Sequence, residues 1–348
     1  MFAVLQTAFL GDTILTTPLI ARLAQRGPVH VVTTPAGASL LENNPAITSV
    51  IVFDKRGADA GVSGVRRVAH RLRATGATTA LLAQGSMRTA ALARLAGIPA
   101  RIGFATSPGR VLYSARVAYR RDLHHAARLL MLDPALSPGS VPLAGDALRP
   151  SLYPGAREAE TVDELLAANG VPNGTPLVAL APGSVWATKR WPSYDRLAQH
   201  LAELPALRDA RIVVIGAGGD APLAGAISDA LTTMGRPPVI DATGRLSLLA
   251  SAALIGRARV LVTNDSAPLH LASAMNTPTV AIFGPTVPAF GFGPLADSQV
   301  VLGHDALPCR PCDAHGPKQC PLGHWKCMRE LSAATVGNAV ERIAAGSF

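Results

Sequence analysis

The stretch LVALAPGSVWATKRWPS runs from an apolar, strand-like segment into a loop holding Ser184, Lys189 and Arg190. A lysine in a loop at the C-terminal edge of a sheet can neutralise the charge that builds on a departing diphosphate without a metal. The plainer alternative is a solvated Lys-Arg pair ahead of Trp191, which would anchor the next helix. VLVTNDSAPLHLASA follows the same plan. Ser266 and Ala267 open a helix whose free N–H groups and dipole favour an anion, and Pro268 is tolerated in its first turn. Asp265 or Ser266 alternatively serves as no more than the cap of that helix. His270, one turn on, reads as a hydrogen-bonded core histidine before a catalyst. RIVVIGAGGDAP supplies Gly216, Gly218, Gly219 and Asp220, a loose version of a dinucleotide fingerprint. Its acid is either a ribose contact or a turn residue. DATGRLSLLASAALI offers Leu246, to pack on a base or in the core, and Ser247 at a helix start. Together these four loops describe a nucleotide-diphosphate pocket built mostly from backbone donors. FLGDTILTTP, behind the first apolar run MFAVLQTA, is different: it has one glycine, Gly11, and then Asp12. An anion is poorly suited to cradling phosphate, so Asp12 must serve some other purpose.

Such loops require strands to present them. Short β-type runs alternate with helical patterns along the chain, which implies parallel α/β sheets. In the first half the strands are expected near Ala3–Gln6, Val29–Thr33, Ser49–Phe53 and Thr79–Leu82. In the second half they are PLVALA, RIVVIG, PPVIDA, RVLVTN and TPTVAIFG. The strand ends at Ala181, Ile215, Asp241 and Thr263 should open on one edge of a single sheet. Between the halves, LDPALSPGSVPLAGDALRPSLYPG is rich in proline and glycine and reads as a linker. The expected organisation is a first domain over 1–155 and a second over 156–328, with a cysteine-bearing loop at 309–327. Residues 329–348 form a C-terminal helix that could pack back on the first domain.

The composition is globular, with 49% hydrophobic and 16% charged residues among 348, which is room for two domains. No apolar run reaches the length of a membrane span and no basic leader precedes the first apolar segment, so a cytoplasmic protein is expected. The net charge of +9 is one-sided. Residues 1–150 carry 17 Lys and Arg against 7 Asp and Glu, whereas the remainder carries 15 against 16. A basic first half implies an anionic partner: nucleic acid, a membrane surface or a multiply charged substrate. Scattered solvated arginines are the alternative. At 4% aromatic residues, with no recognised module, nucleic acid is not expected. The first strand lacks the fingerprint of a nicotinamide dehydrogenase, and no Asp-x-Asp occurs to bridge a diphosphate through a metal. Cys309, Cys312, Cys320 and Cys327 are spaced C-x2-C-x7-C-x6-C. Four thiolates so close suit a closed, structural metal site, with zinc the default and iron also suited; reduced thiols are the alternative. His315 and His324 are spare ligands.

LGD ahead of a helix, APGS…KRWP, TNDSAPLHLASAM and VAIFGPT, in this order and spacing, resemble the ADP-heptose:lipopolysaccharide heptosyltransferases of glycosyltransferase family 9. The heptosyltransferase II-like members match along nearly the whole chain. The resemblance implies a GT-B fold, two Rossmann-like doubly wound domains facing a cleft, and inverting transfer of L-glycero-D-manno-heptose from ADP-heptose to the inner core of lipopolysaccharide, with no cofactor for catalysis. The resemblance also gives Asp12 its purpose. It takes the proton from the attacking acceptor hydroxyl, unless it is an N-cap for a helix starting at Thr13. By the same resemblance Lys189 and Ser184 contact the diphosphate. Asp265, Ser266, Ala267 and His270 line the diphosphate and sugar, Leu246 packs near adenine, and Asp220 approaches the ribose. Some relatives carry Thr-Thr where this chain has Ser184-Val185, and a glutamate-rich stretch is replaced here by GGDAPL. Arg66, Arg67, Arg88, Arg120 and Arg121 become candidates for holding a lipid A–Kdo/heptose acceptor and for tethering the enzyme to the anionic inner-membrane surface. Some relatives that act on autotransporter proteins carry a four-cysteine iron site. An autotransporter hydroxyl, another surface glycan, or nucleotide-sugar binding without catalysis are the alternative functions.

Overall fold

A computed structural model describes residues 1–137 and 145–345. The chain divides into two compact units, Met1–Tyr153 and Pro154–Phe348. Residues 138–144 of the expected linker, and the last three of the expected C-terminal segment, lie outside the described residues.

The first unit carries β1 (Phe2–Gln6), β2 (Val29–Thr33), β3 (Ser49–Val52), β4 (Thr79–Leu82), β5 (Ala100–Phe104) and β6 (Ala115–Val117). They form one parallel sheet in the order β3-β2-β1-β4-β5-β6. The second unit carries β7 (Leu177–Ala181), β8 (Arg211–Val214), β9 (Ile240–Asp241), β10 (Val260–Asn264), β11 (Thr279–Phe283) and β12 (Gln299–Gly303). These too are parallel, in the order β12-β11-β10-β7-β8-β9. Both units thus have the doubly wound order in which the winding reverses beside the first strand. Ligands of such sheets bind outside the carboxyl ends of the strands at that reversal. The relevant loops follow β1 and β4 in the first unit, and β7 and β10 in the second.

The central strands are continuous apolar runs because helices cover both faces: VHVVT, LVALA, VLVTN and TVAIF are buried at every position. The helices show the complementary stripe. Gly61–Ala74 buries Val65, Val68, Ala69 and Leu72, and Tyr194–Glu203 buries Tyr194, Leu197, Ala198 and Leu201. Both sets follow the spacing of one helix face. Each fully buried large side chain, such as Phe53 or Phe283, contributes about 1.5–3 kcal/mol. The last helix, Ala333–Ala344, sinks Val336, Ala339, Val340 and Ile343 into the core that includes Leu197 and Leu201. It covers the second unit's own sheet, whereas the sequence allows a return to the first domain.

Candidate active site

The second unit gathers its charged loops tightly. Beyond β7 the chain passes through Pro182 and Gly183 into a short turn, Ala187–Lys189. Trp191 fixes that turn: it is 2% exposed, its backbone N–H donates to Asn264 Oδ1 at 3.2 Å, and its indole donates to the carbonyl of Leu331 at 3.0 Å. Asn264, the last residue of β10, donates in turn to the carbonyl of Pro182 at 2.9 Å. The two strand ends at the winding reversal are thereby cross-linked, and Lys189 and Asp265 meet. Lys189 Nζ donates to Asp265 Oδ2 at 2.6 Å, and Thr286 Oγ1 donates to the same oxygen at 2.7 Å. All three residues are buried. Asp265 is therefore a partner for the lysine, not the helix cap. The N-cap of helix Ala267–Met275 is Ser266, whose hydroxyl makes no capping bond.

The other nominated residues surround this pair more loosely. Ser184 is buried, its carbonyl held by Arg190 Nε at 2.8 Å, while Val185 beside it is 90% exposed. Asp220 Oδ2 accepts from the backbone N–H of Ala217 at 2.9 Å and so closes its own loop. A methyl group on Gly183 or Gly216 would overlap that carboxylate, which explains the glycines on both sides. Leu246 is half-buried just ahead of helix Leu248–Arg257, whose N-cap is Ser247. His270 is buried, its ring edge-on to Phe292 at 6.3 Å between centroids.

In the first unit, Asp12 lies inside the first turn of helix Leu10–Leu15, whose N-cap is Phe9. The expected helix start at Thr13 is thus too late, because the extended backbone at Phe9 already turns the chain and Thr13 N–H bonds to the Phe9 carbonyl at 3.1 Å. Asp12 is not a cap. Its carboxylate faces His125 Nε2 at 3.4 Å, and its side chain is 19% exposed. His125 was not a sequence candidate; the available signal was the paired histidines of DLHHAARLL following an arginine run. Lys55 was also overlooked. Its ammonium donates to the Thr7 carbonyl at 2.5 Å, and burial, with Arg56 and Arg88 repelling it, holds it below the usual lysine range. Arg88 thus stands with Lys55 beyond the strand ends.

The remaining arginines are spread out. Arg66 and Arg67 sit on the exposed side of helix Gly61–Ala74, and Arg67 is spent on Asp59 and the Ala58 carbonyl. Arg120 grips Asp122 and holds that carboxyl down to about 2. The carbonyls of Arg120 and Arg121 are both held at 2.7 Å by buried Arg128, whose guanidinium lies 5.0 Å from the Tyr119 ring.

All four cysteines are free thiols. Cys309 Sγ lies 3.9 Å from His324 Nε2, the Cys312 thiol donates to the Cys309 carbonyl, and burial pushes the Cys327 thiol up to about 11. Among the described residues no group of three or more His, Cys, Asp or Glu side chains is disposed to hold a metal. The soft four-sulfur donor set suits a structural zinc or iron, and the Cys327 thiol lies within electrostatic reach of Cys312, Cys320 and Cys309. Hydrogen bonds also hold the loop. Arg310 donates to the carbonyls of Gly284, Phe283 and Thr286, and Thr188 Oγ1 donates to the Pro317 carbonyl at 2.5 Å.

The sequence model of glycosyltransferase family 9 (heptosyltransferase) matches residues 65–326. The chain belongs to glycosyltransferase family 9. Lipopolysaccharide heptosyltransferase 2 of Salmonella typhimurium is 27% identical to this family 9 chain over 299 residues, covering 82% of it and 83% of the relative. The crystal structure of a family 9 glycosyltransferase from Veillonella parvula superimposes with a TM-score of 0.84 at 26% identity, over 99% of this chain and 97% of the other. Escherichia coli ADP-heptose heptosyltransferase II gives a TM-score of 0.79 at 22% identity, over 99% and 98%. This family 9 chain is accordingly a glycosyltransferase with the paired doubly wound units of the GT-B class. Among its described residues no helix is long and apolar enough to cross a membrane.

Proposed function

We propose that this glycosyltransferase moves L-glycero-D-manno-heptose from ADP-heptose to the inner core of lipopolysaccharide, with inversion at the anomeric carbon. The observation that carries the reading is the buried Lys189–Asp265 pair at the winding reversal of the second sheet. It supplies a fixed cation where a nucleotide diphosphate belongs. The second unit is the donor unit. Lys189 and the N–H groups of Ser266 and Ala267 meet the diphosphate, with Ser184 beside it. Leu246 lies toward adenine, Asp220 shapes the ribose side, and Asp265 and His270 border the sugar.

The first unit is the acceptor unit. Asp12 removes the proton from the acceptor hydroxyl as its oxygen bonds to the anomeric carbon. The bond from that carbon to the diphosphate breaks, its electron pair leaves with ADP, and Lys189 offsets the charge. Arg88 and Lys55 are the first candidates for the acidic groups of a lipid A–Kdo/heptose acceptor, with Arg66, Arg67, Arg120 and Arg121 farther out. The excess of 17 basic over 7 acidic side chains in residues 1–150 favours a peripheral position on an anionic cytoplasmic membrane surface. Cys309, Cys312, Cys320 and Cys327 would hold a structural zinc or iron, which takes no part in transfer; elemental analysis against a Cys309→Ser control tests it.

The deciding assay is ADP-heptose turnover against lipid A–Kdo acceptors bearing zero, one or two heptoses. Transfer to one of them is expected. Binding of ADP-heptose with no turnover on any of these acceptors would overturn the lipopolysaccharide reading and leave a different acceptor or a nucleotide-sugar binder instead.

A further inference from the structure

Thr286 closes the turn FGPT after β11, is 1% exposed, and has no place in the donor or acceptor contacts above. Its hydroxyl nevertheless ends on the oxygen that holds Lys189. Asp265 Oδ2 accepts two hydrogen bonds, one from the ammonium at 2.6 Å and one from Thr286 at 2.7 Å. A lysine is a point charge on a flexible four-carbon stem, so a single bond to a carboxylate fixes it no better than the carboxylate is itself fixed. We infer that Thr286 is a positioning residue for the donor site: through Asp265 it sets where the Lys189 ammonium stands against the diphosphate of a bound nucleotide. The inference rests on the reading of the second unit as the donor unit.

The surroundings show that the turn is built to hold still. The backbone N–H of Asp265 bonds to the Ile282 carbonyl at 3.1 Å, which fixes the acid to the end of β11. The carbonyls of Phe283, Gly284 and Thr286 are all taken by one guanidinium. Arg310 reaches them at 2.9, 2.5 and 3.2 Å with its side chain 4% exposed. From the other side, Gly316 (φ +84°) lies against the stem of Lys189, and a Cβ there would come 3.1 Å from Cε. Lysine, acid and hydroxyl are thus held on three sides by backbone that does not depend on the Thr286 hydroxyl. Removing that hydroxyl should disturb the charge pair and little else.

Calorimetric titration with ADP separates this role from a packing role. Thr286→Val keeps the shape and loses the donor, and its ADP affinity should fall about fivefold, less than the roughly tenfold low end for a direct hydrogen bond to a charged group because it acts at one remove. Thr286→Ser should stay within about twofold of the unaltered chain. In a Lys189→Met background the Thr286→Val change should cost nothing further, since coupled residues are not additive. Unchanged affinity in Thr286→Val, equal losses in the Val and Ser variants, or additive losses with Lys189→Met would each overturn the inference. If the unaltered chain binds no ADP at all, the donor-unit reading falls first and takes this inference with it.

Discussion

Two acids in this molecule stand at the winding reversals of two sheets with the same strand order, on opposite sides of the reversal. Asp12 follows β1, the first strand of its sheet, whereas Asp265 follows β10, which lies across the reversal from the first strand of the second, β7. Their surroundings separate them. Asp265 is 9% exposed and gives one oxygen to both an ammonium and a hydroxyl. Asp12 is more open and has an imidazole beside it at 3.4 Å. A carboxylate already committed to a buried cation organises that cation. A carboxylate beside an imidazole and nearer to solvent can still receive a proton. The fold supplies the position, and the neighbours decide the chemistry.

Asparagine at each position should therefore fail in opposite ways. Asp12→Asn is expected to lower kcat by at least about a hundredfold, the scale of losing a general base. Donor binding and the thermal midpoint should stay near those of the unaltered chain, as calorimetry and melting would show; retained turnover would end the distinction. Lys189→Met should cost about 10²–10³ in kcat, as for a lost donor to developing charge. Asp265→Asn leaves a buried ammonium without its counter-charge, and a stability loss of about 3–5 kcal/mol is expected in denaturant titrations. A D265N chain as stable as its parent would mean that the pair is not what organises the lysine.

Smaller effects sharpen the picture of the acceptor side. Arg88→Gln should raise the acceptor KM about tenfold, in line with one charge-assisted contact, and more than Arg120→Gln, whose guanidinium is already occupied by Asp122. The same Arg88→Gln change should slightly stabilise the fold. Lys55 is held below its ordinary range by burial, Arg56 and Arg88, so the folded chain binds fewer protons than the unfolded one between the folded value and the ordinary value. Its penalty is fully present at neutral pH and is relieved as pH rises through that window. Removing Arg88 should lift the thermal midpoint at neutral pH by about a degree and flatten the gain on going alkaline.

The strands that position these groups were readable because they are buried on both sides. β2 and β4 fall on the expected residues, and the second unit's strand ends open together as expected. The strands that sequence reasoning overlooked lack that signal. β5, ARIGF, mixes an arginine and a glycine into the run, β6 has three residues, and β12 is half-exposed at a sheet edge. The sites divide in the same way. Lys189 and Asp265 could each be nominated from a local loop, but their contact joins residues far apart in sequence and has no local trace. Thr286 and His125 matter through partners: VAIFGPT and the paired histidines of DLHHAARLL stand out in the sequence, but only packing joins the one to Asp265 and the other to Asp12. The arginines of the first unit were legible as a charge excess. Which of them face a ligand and which brace a loop, as Arg67 and Arg128 do, is set by packing.

Asp220 carries an implication for how this protein can change. Its carboxylate fills the space that side chains would otherwise take at Gly183 and Gly216 while also anchoring the Ala217 amide. Two loops leaving different strands consequently share one plug. An alanine at either glycine is incompatible with the aspartate in its present rotamer, and a shorter residue at 220 would leave an unfilled gap and an unanchored amide. Divergence along this rim must therefore proceed in concerted pairs, and a chain that has lost the acid should also have gained bulk at one of the glycines.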